Sequence, residues 1–251
     1  MINAYILASG SKGNATLIFD GKTNVLIDLG ISKKSIDEKL EKFGKNFAEI
    51  NYFLFTHAHS DHIKFYEDAP IEKRFSLKGV VELRKENVLY LYETVTMGDF
   101  KVTPIRASHD ANPTCGYLIE NGEDDLVYLT DTGLIKKRVL NYIRNRKYYI
   151  IESNHDVEML VNSGRPALLI QRILSQKGHL SNEDSAFYMT GLVGERTEKI
   201  ILAHLSEECN TPEKALETYR KIFELKEIDF NKYDVRCAYQ HEVVILWLRL
   251  K

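Results

Sequence analysis

The chain has 251 residues, 28% of them charged and 44% apolar, with a formal net charge of −2. That is soluble globular composition, at a length that buries roughly three-quarters of the unfolded chain's surface. It excludes a general basic field that would draw in nucleic acid. Three cysteines (Cys115, Cys209, Cys237) without a C-x-x-C pair exclude a disulfide framework and point to a reducing, cytoplasmic setting.

From the beginning, Ala4 to Ala8, Ala15 to Phe19 and Asn24 to Leu29 read as strands, the last two joined by an Asp20-Gly21 hairpin turn. Ser32 can cap a helix running to about Phe43, with Gly44 as its stop and Ile36, Leu40 and Phe43 on one face. Tyr52 to Phe55 is a short apolar strand. Residues 63–100 are poorly patterned, with Val80 to Leu83 and Val88 to Tyr92 as strands or a short helix plus strand. Phe100 to Ile105 is a strand behind a Gly98-Asp99 turn. Cys115 to Ile119 and Leu126 to Leu129 form a hairpin, and Tyr148 to Ile151 is another strand. Helical patterns cover about 167–175 and 183–193. Lys199 to Ala203 is a strand, and Thr211-Pro212 caps a helix over 213–224. Two last strands, about 234–239 and 242–248, close the chain as a pair. Its longest apolar run, Val243 to Leu248, is too short to span a bilayer, and Met1-Ile-Asn-Ala-Tyr5 has no basic leader, so no membrane partner is expected. No repeat or flexible linker interrupts the chain, which reads as one α/β domain over residues 1–251.

Behind the strand Tyr52 to Phe55 stands Thr56-His57-Ala58-His59-Ser60-Asp61-His62. Imidazole and carboxylate are the donors that zinc and similar divalent ions accept, and function gathers on loops at strand ends. His57 and His59, two apart, share one side of an extended segment, while Asp61 and His62 follow the turn. Each pair lacks a third protein ligand. His109 and His204 follow strands and can fill those places, and Asp131 carries two oxygens and can bridge. The result is two open sites for two divalent metal ions, Zn²⁺ or Mn²⁺, arranged as hydrolytic centres are. Of the eight histidines this leaves His155, His179 and His241.

This order of HxHxDH, His109, Asp131 and His204 resembles the metallo-β-lactamase fold, a four-layer αβ/βα sandwich. Five segments look like its YycJ/WalJ branch: Leu7 to Asn14, Ser108 to Ala111, Thr130 to Gly133, Glu152 to Leu160 and Gln171 to Asp184. The resemblance implies a two-metal phosphodiesterase, an exonuclease cutting double-stranded DNA 5′→3′, so the implied partner is a nucleic acid substrate. Gly178-His179-Leu180-Ser181 is similar to the Gly-His-x-Ser/Thr element of RNase Z-like enzymes, which implies His179 as general acid, beside Asp61 as the other catalytic residue. An imidazole suits proton donation at neutral pH. Ser181-Asn-Glu-Asp184 is also a capping box for the next helix. Possible substrate contacts are Ser11 and Asn14 in a glycine-rich turn, Asn154 and His155 at a strand end, Arg172 and Ser181. Lys136-Lys137-Arg138 and Arg144 to Lys147 are either solvated helix faces or a track for a phosphate backbone. The chain has no room for the extra domain of RNase J-like nucleases. Alternatives on the same scaffold are a cyclic-nucleotide phosphodiesterase, or a lactonase or thioesterase. Acyl leaving groups have less need of a positioned acid such as His179.

Overall fold

The computed structural model describes residues 1–122 and 124–246. In chain order it forms β1 (Asn3–Ala8), β2 (Ala15–Phe19), β3 (Asn24–Ile27), α1 (Lys33–Glu41), β4 (Tyr52–Phe55), α2 (Ser60–Ile63), β5 (Arg74–Leu77) and β6 (Val88–Leu89). There follow β7 (Val95–Met97), β8 (Phe100–Arg106), β9 (Cys115–Asn121), β10 (Asp124–Leu129), α3 (Lys137–Ile143) and β11 (Tyr148–Glu152). The last elements are α4 (Val157–Val161), α5 (Ala167–Ile173), α6 (Asn182–Leu192), β12 (Lys199–Ala203), α7 (Pro212–Leu225), β13 (Asp234–Cys237) and β14 (Val244–Ile245).

The strands form two sheets, in the orders β14-β1-β2-β3-β4-β5-β6 and β13-β12-β11-β10-β9-β8-β7. Strands β10 to β13 run parallel, and so do β3 to β6, which explains the near-continuous apolar runs in the sequence. Alternate residues of one strand serve two cores. Leu126 and Tyr128, Tyr148 and Ile150, and Ile201 and Ala203 pack with Ile2, Ala4 and Leu17 of the first sheet. Their neighbours Val127 and Leu129, Tyr149 and Ile151, and Ile200 and Leu202 pack instead with residues of α3, α6 and α7. The result is the four-layer αβ/βα sandwich.

Helix α7 shows how packing outweighs local preference. Thr211 caps it by accepting from the Lys214 N–H, and Ala215, Tyr219 and Phe223 form its buried stripe. Aromatic residues cost a helix roughly half a kcal/mol each, whereas burying such side chains returns roughly 1.5–3 kcal/mol each. Burial wins. In α1 the cap Ser32 accepts from the Ser35 N–H, and Gly44 takes a left-handed φ of 65° just beyond the helix end.

Three local expectations are corrected. Short strands β5 and β7, and short helices α3 and α4, occupy stretches with no legible pattern. The two closing strands do not pair: β13 joins β12, whereas β14 joins β1 in the other sheet. His241 lies between these two strands in an exposed bend. Residues 247–248 of the last expected strand lie outside the described residues. Among the described residues no helix is long and apolar enough to cross a membrane.

Candidate metal centre

The C-terminal ends of β4, β8, β10, β11 and β12 lie along one edge, where open α/β sheets place their functional groups. Three residues one or two places beyond strand ends adopt left-handed backbone there: Asp28 (φ 62°), Asp131 (φ 54°) and His204 (φ 57°). Non-glycine residues accept that region at a cost of about 1–3 kcal/mol each, and such strain concentrates at functional sites. The bend turns each side chain back over the sheet edge. Gly30 has a steric reason. A Cβ there would stand 1.8 Å from the Asp61 carbonyl oxygen, so only glycine lets this loop lie against the HxHxDH turn.

The expected donors converge. Donor atoms of His57, His59 and His109 lie within 4.8 Å of one another, as do those of Asp61, His62 and His204. Asp131 stands between the groups, its Oδ2 3.2 Å from His62 Nε2 and its Oδ1 3.5 Å from His204 Nδ1 and 4.0 Å from His109 Nε2. His57, His62, Asp131 and His204 are buried, and the Asp61 and His59 side chains are partly open, 22% and 33% exposed. That leaves the cluster one accessible side.

Second partners fix which nitrogen each ring offers. His57 Nδ1 lies 3.0 Å from Thr56 Oγ1, which itself donates to Asp28, so that the hydroxyl must accept from the ring. His62 Nδ1 lies 2.7 Å from Asp28 Oδ2, His109 Nδ1 3.0 Å from the Gly178 carbonyl, and His204 Nδ1 3.0 Å from Glu152 Oε1. Each Nδ1 carries the proton, and each Nε2 lone pair faces the cluster, as in metal-ligating histidines. His59 is reversed: its Nε2 faces Asp110 Oδ1 at 3.3 Å, leaving Nδ1 only 3.1 Å from His109 Nε2. Two lone pairs at that distance repel unless a cation lies against both. His57 Nε2 and His204 Nε2 are buried without a hydrogen-bond partner among the described residues. The donor set therefore fits divalent cations.

The electrostatics agree. Burial opposes protonation of His204, but Asp131, Asp61 and Glu152 outweigh it and raise its pKa to about 10. His62 is likewise raised against its own burial, by Asp131 and Asp28. Burial and the neighbouring His62 hold His57 well below the ordinary imidazole value. Without cations, protons on His62 and His204 balance the carboxylates, and those protons must leave when an ion binds. Zinc added to the metal-free protein in weak buffer is thus expected to acidify the solution. Apparent affinity should fall by up to about tenfold per pH unit, per displaced proton, as pH falls towards 6. A pH indicator titration reads both, and uptake without acidification would remove His62 and His204 as ligands.

Asp28 and Glu152 are among the site residues missed by sequence reading, with Thr56 and Asp110. Asp28 and Glu152 are buried carboxylates at strand ends, so the same pattern that marked His109 and His204 applied to them. Asp28 accepts from Thr56 N and Oγ1 and from His62. Asp28→Asn is expected to lower metal affinity by about 10–100-fold, read by chelator competition, because His62 loses the carboxylate that orients it. Glu152 is saturated: Oε1 takes His179 Nδ1 at 2.7 Å and His204 Nδ1 at 3.0 Å, and Oε2 takes the N–H groups of Thr132 and Leu180 at 2.9 and 3.1 Å. Its oxygens have no valence left for an ion. Its pKa is drawn down to about 2, against burial, mainly by His179 and His204.

The expected substrate contacts divide. Ser11 and Arg172 are exposed, and Arg172 Nε binds the Asp110 carboxylate that also faces His59 and His109. Asn14, Asn154, His155 and Ser181 are buried and belong to the framework. Asn14 accepts from Gly10 N and lies 3.0 Å from His62 Nε2. Asn154 donates to the His204 carbonyl, and Ser181 caps α6 by accepting from Asp184 N. Burial lowers the pKa of His155 to about 4, so it is a neutral interior ring. The glycine-rich turn is not an open row of donors, because Gly10, Lys12, Gly13 and Asn14 all spend their N–H groups within the protein. Of the basic clusters, Arg146 and Lys147 precede β11 at the opposite edge and are held by Glu120, Asp124, Asp125 and Glu198.

The sequence profile of the Beta-lactamase superfamily domain matches residues 23–204, the span from β3 to the last donor. The chain belongs to that superfamily. Within it, the chain is 36% identical over 225 residues to the exodeoxyribonuclease WalJ of Streptococcus pneumoniae serotype 2, covering 84% of each chain. It is 33% identical over 234 residues to the exodeoxyribonuclease YycJ of Bacillus anthracis, covering 88% of this chain and 89% of that one. The crystal structure of the metallo-β-lactamase fold protein YhfI from Bacillus subtilis superposes with a TM-score of 0.72 at 15% identity, over 97% of this chain and 99% of that one. The superfamily fold implies divalent metal ions, and the histidine and aspartate clusters are groups that could hold them.

Proposed function

We propose that this single hydrolase domain is a two-metal phosphodiesterase, an exonuclease that cuts duplex DNA from the 5′ end. The observation that carries the reading is the His179–Glu152 pair beside the seven-donor cluster. A phosphodiester's leaving oxygen must be protonated, and the two groups lie ready for that. The DNA substrate is supported by the relatives named exodeoxyribonucleases at 33–36% identity over most of the chain.

His57, His59 and His109 would hold one ion and Asp61, His62 and His204 the other, with Asp131 standing between the two groups. When bound, two zinc or manganese ions supply an acidified water at neutral pH and positive charge for the phosphoryl oxygens. The protein's own groups do the rest. Thr56, Asp28, Gly178 and Glu152 keep the rings in the tautomer that binds. Glu152 accepts from His179 Nδ1 at 2.7 Å and fixes the ring, so that an Nε2–H is the proton that would be offered to the departing oxygen. With its side chain 19% exposed, His179 is open enough to meet substrate and too enclosed to be a surface residue.

Purified protein with manganese or zinc is to be given a 5′-labelled duplex, a cyclic mononucleotide and bis(p-nitrophenyl) phosphate. Release of mononucleotides from the duplex is the expected result. Cleavage of the cyclic nucleotide alone would overturn the nuclease reading.

A further inference from the structure

A concavity of about 270 Å³ opens against His109, one of the candidate metal donors. Three loops build it. One runs on from β8 and contributes Arg106, one leads into α3 and contributes Lys136, and one follows α5 and contributes Lys177. These loops are tied to one another. Ser108 donates through Oγ to the Gln176 carbonyl and through its N–H to Thr132 Oγ1, and Gly133 N donates to the Ser108 carbonyl. A Cβ on Gly133 would stand 2.3 Å from the Ser175 carbonyl oxygen, so the loops approach as closely as backbone allows. The shape is fixed before any ligand arrives.

Its charge is unbalanced. Arg106, Lys136 and Lys177 are exposed, and no carboxylate lies within ion-pair distance of any of them among the described residues. The one acid in the lining, Asp110, is bound by Arg172. Elsewhere the protein pairs many of its cations, including Lys12, Arg146, Arg165 and Lys147. Three unpaired cations around one small polar cavity, sharing His109 with the catalytic cluster, suit a phosphate group.

We propose that this concavity holds the phosphate next to the one being cut, on the same strand, so that Arg106, Lys136 and Lys177 set how far the strand end advances. The proposal rests on the nuclease reading above. A terminal 5′-phosphate and an internal phosphate offer the same chemistry, and the test separates them.

Fluorescent duplexes bearing a 5′-phosphate or a 5′-hydroxyl are titrated with the full chain in EDTA, where no cleavage occurs. Anisotropy is read over a range of KCl concentrations. The triple variant Arg106→Ala/Lys136→Ala/Lys177→Ala is expected to raise Kd by about tenfold and to flatten the slope of log K against log salt by about one, the loss of one phosphate contact. The charge-keeping pair Lys136→Arg/Lys177→Arg should retain the slope, and Lys221→Ala, on the exposed side of α7, should change neither quantity. A loss confined to the phosphorylated duplex assigns the cavity to a terminal phosphate, and a loss on both assigns it to an internal one. Wild-type Kd and slope in the triple variant would overturn the proposal while leaving the nuclease reading intact. A wild-type chain that neither binds duplex nor, with manganese, cuts it would contradict the nuclease reading itself.

Discussion

Asp131→Ala should lower kcat/KM on duplex DNA by about 10³-fold or more, equivalent to about 4 kcal/mol of transition-state stabilisation. Asp131 is 2% exposed and its two oxygens reach His62, His204 and His109, residues drawn from both halves of the donor set. Removing it deletes the one acid common to both groups. It also leaves His62 and His204, whose protonation Asp131 favours, facing each other across the cavity with less counter-charge. Metal content by mass spectrometry is the first readout, expected to fall from two ions per chain to one or fewer. Activity is the second. Two retained ions with wild-type turnover would show that Asp131 only braces the loop.

The second large effect separates chemistry from metal binding. His179→Ala should lower kcat by about 10²–10⁴-fold while metal content and the thermal transition stay near wild type. His179 packs against the His109 and His204 rings and pairs with Glu152, and metal is expected to stay in its absence because Glu152 still orients His204 through the 3.0 Å contact. A substrate with a good leaving group needs less proton donation, so bis(p-nitrophenyl) phosphate should lose much less rate than DNA. Equal losses on both substrates would assign His179 to metal binding, and no loss on either would remove it from the mechanism.

The convergence of the seven candidate donors is legible in the sequence because their code is local: a ligand type within a few residues of the end of an apolar strand. His57 to His62 repeat it within one loop, and His109, Asp131 and His204 follow β8, β10 and β12. The same code at β11 points to His155, because histidine looks more functional than glutamate. Glu152 is the residue whose oxygens reach the site, while His155 turns inward to 1% exposure. Asp28 was overlooked for a related reason, standing inside the apolar run Ile27-Asp28-Leu29, where a carboxylate reads as an irregularity. The strands and helices that escaped are the short ones. β5, β7 and α4 have 3–5 residues, too few to show either period, and depend on neighbours that the sequence does not reveal. The separation of β13 from β14 into different sheets is a tertiary choice, invisible to local turn chemistry.

The basic clusters teach the converse. Arg144 to Lys147 is dense in charge yet lies at the far edge, with Arg146 and Lys147 bound to carboxylates. Lys136 joins Arg106 and Lys177 from distant parts of the chain at the catalytic edge.

Residues from 57 to 204 are proposed to hold two cations, with Asp131 between them. Anomalous diffraction from crystals grown with manganese tests it most directly. Two peaks are expected, one against His57, His59 and His109 and one against Asp61, His62 and His204, with Asp131 oxygens touching both. A single peak centred on Glu152 and His179, or no peak within reach of Asp131, would contradict it.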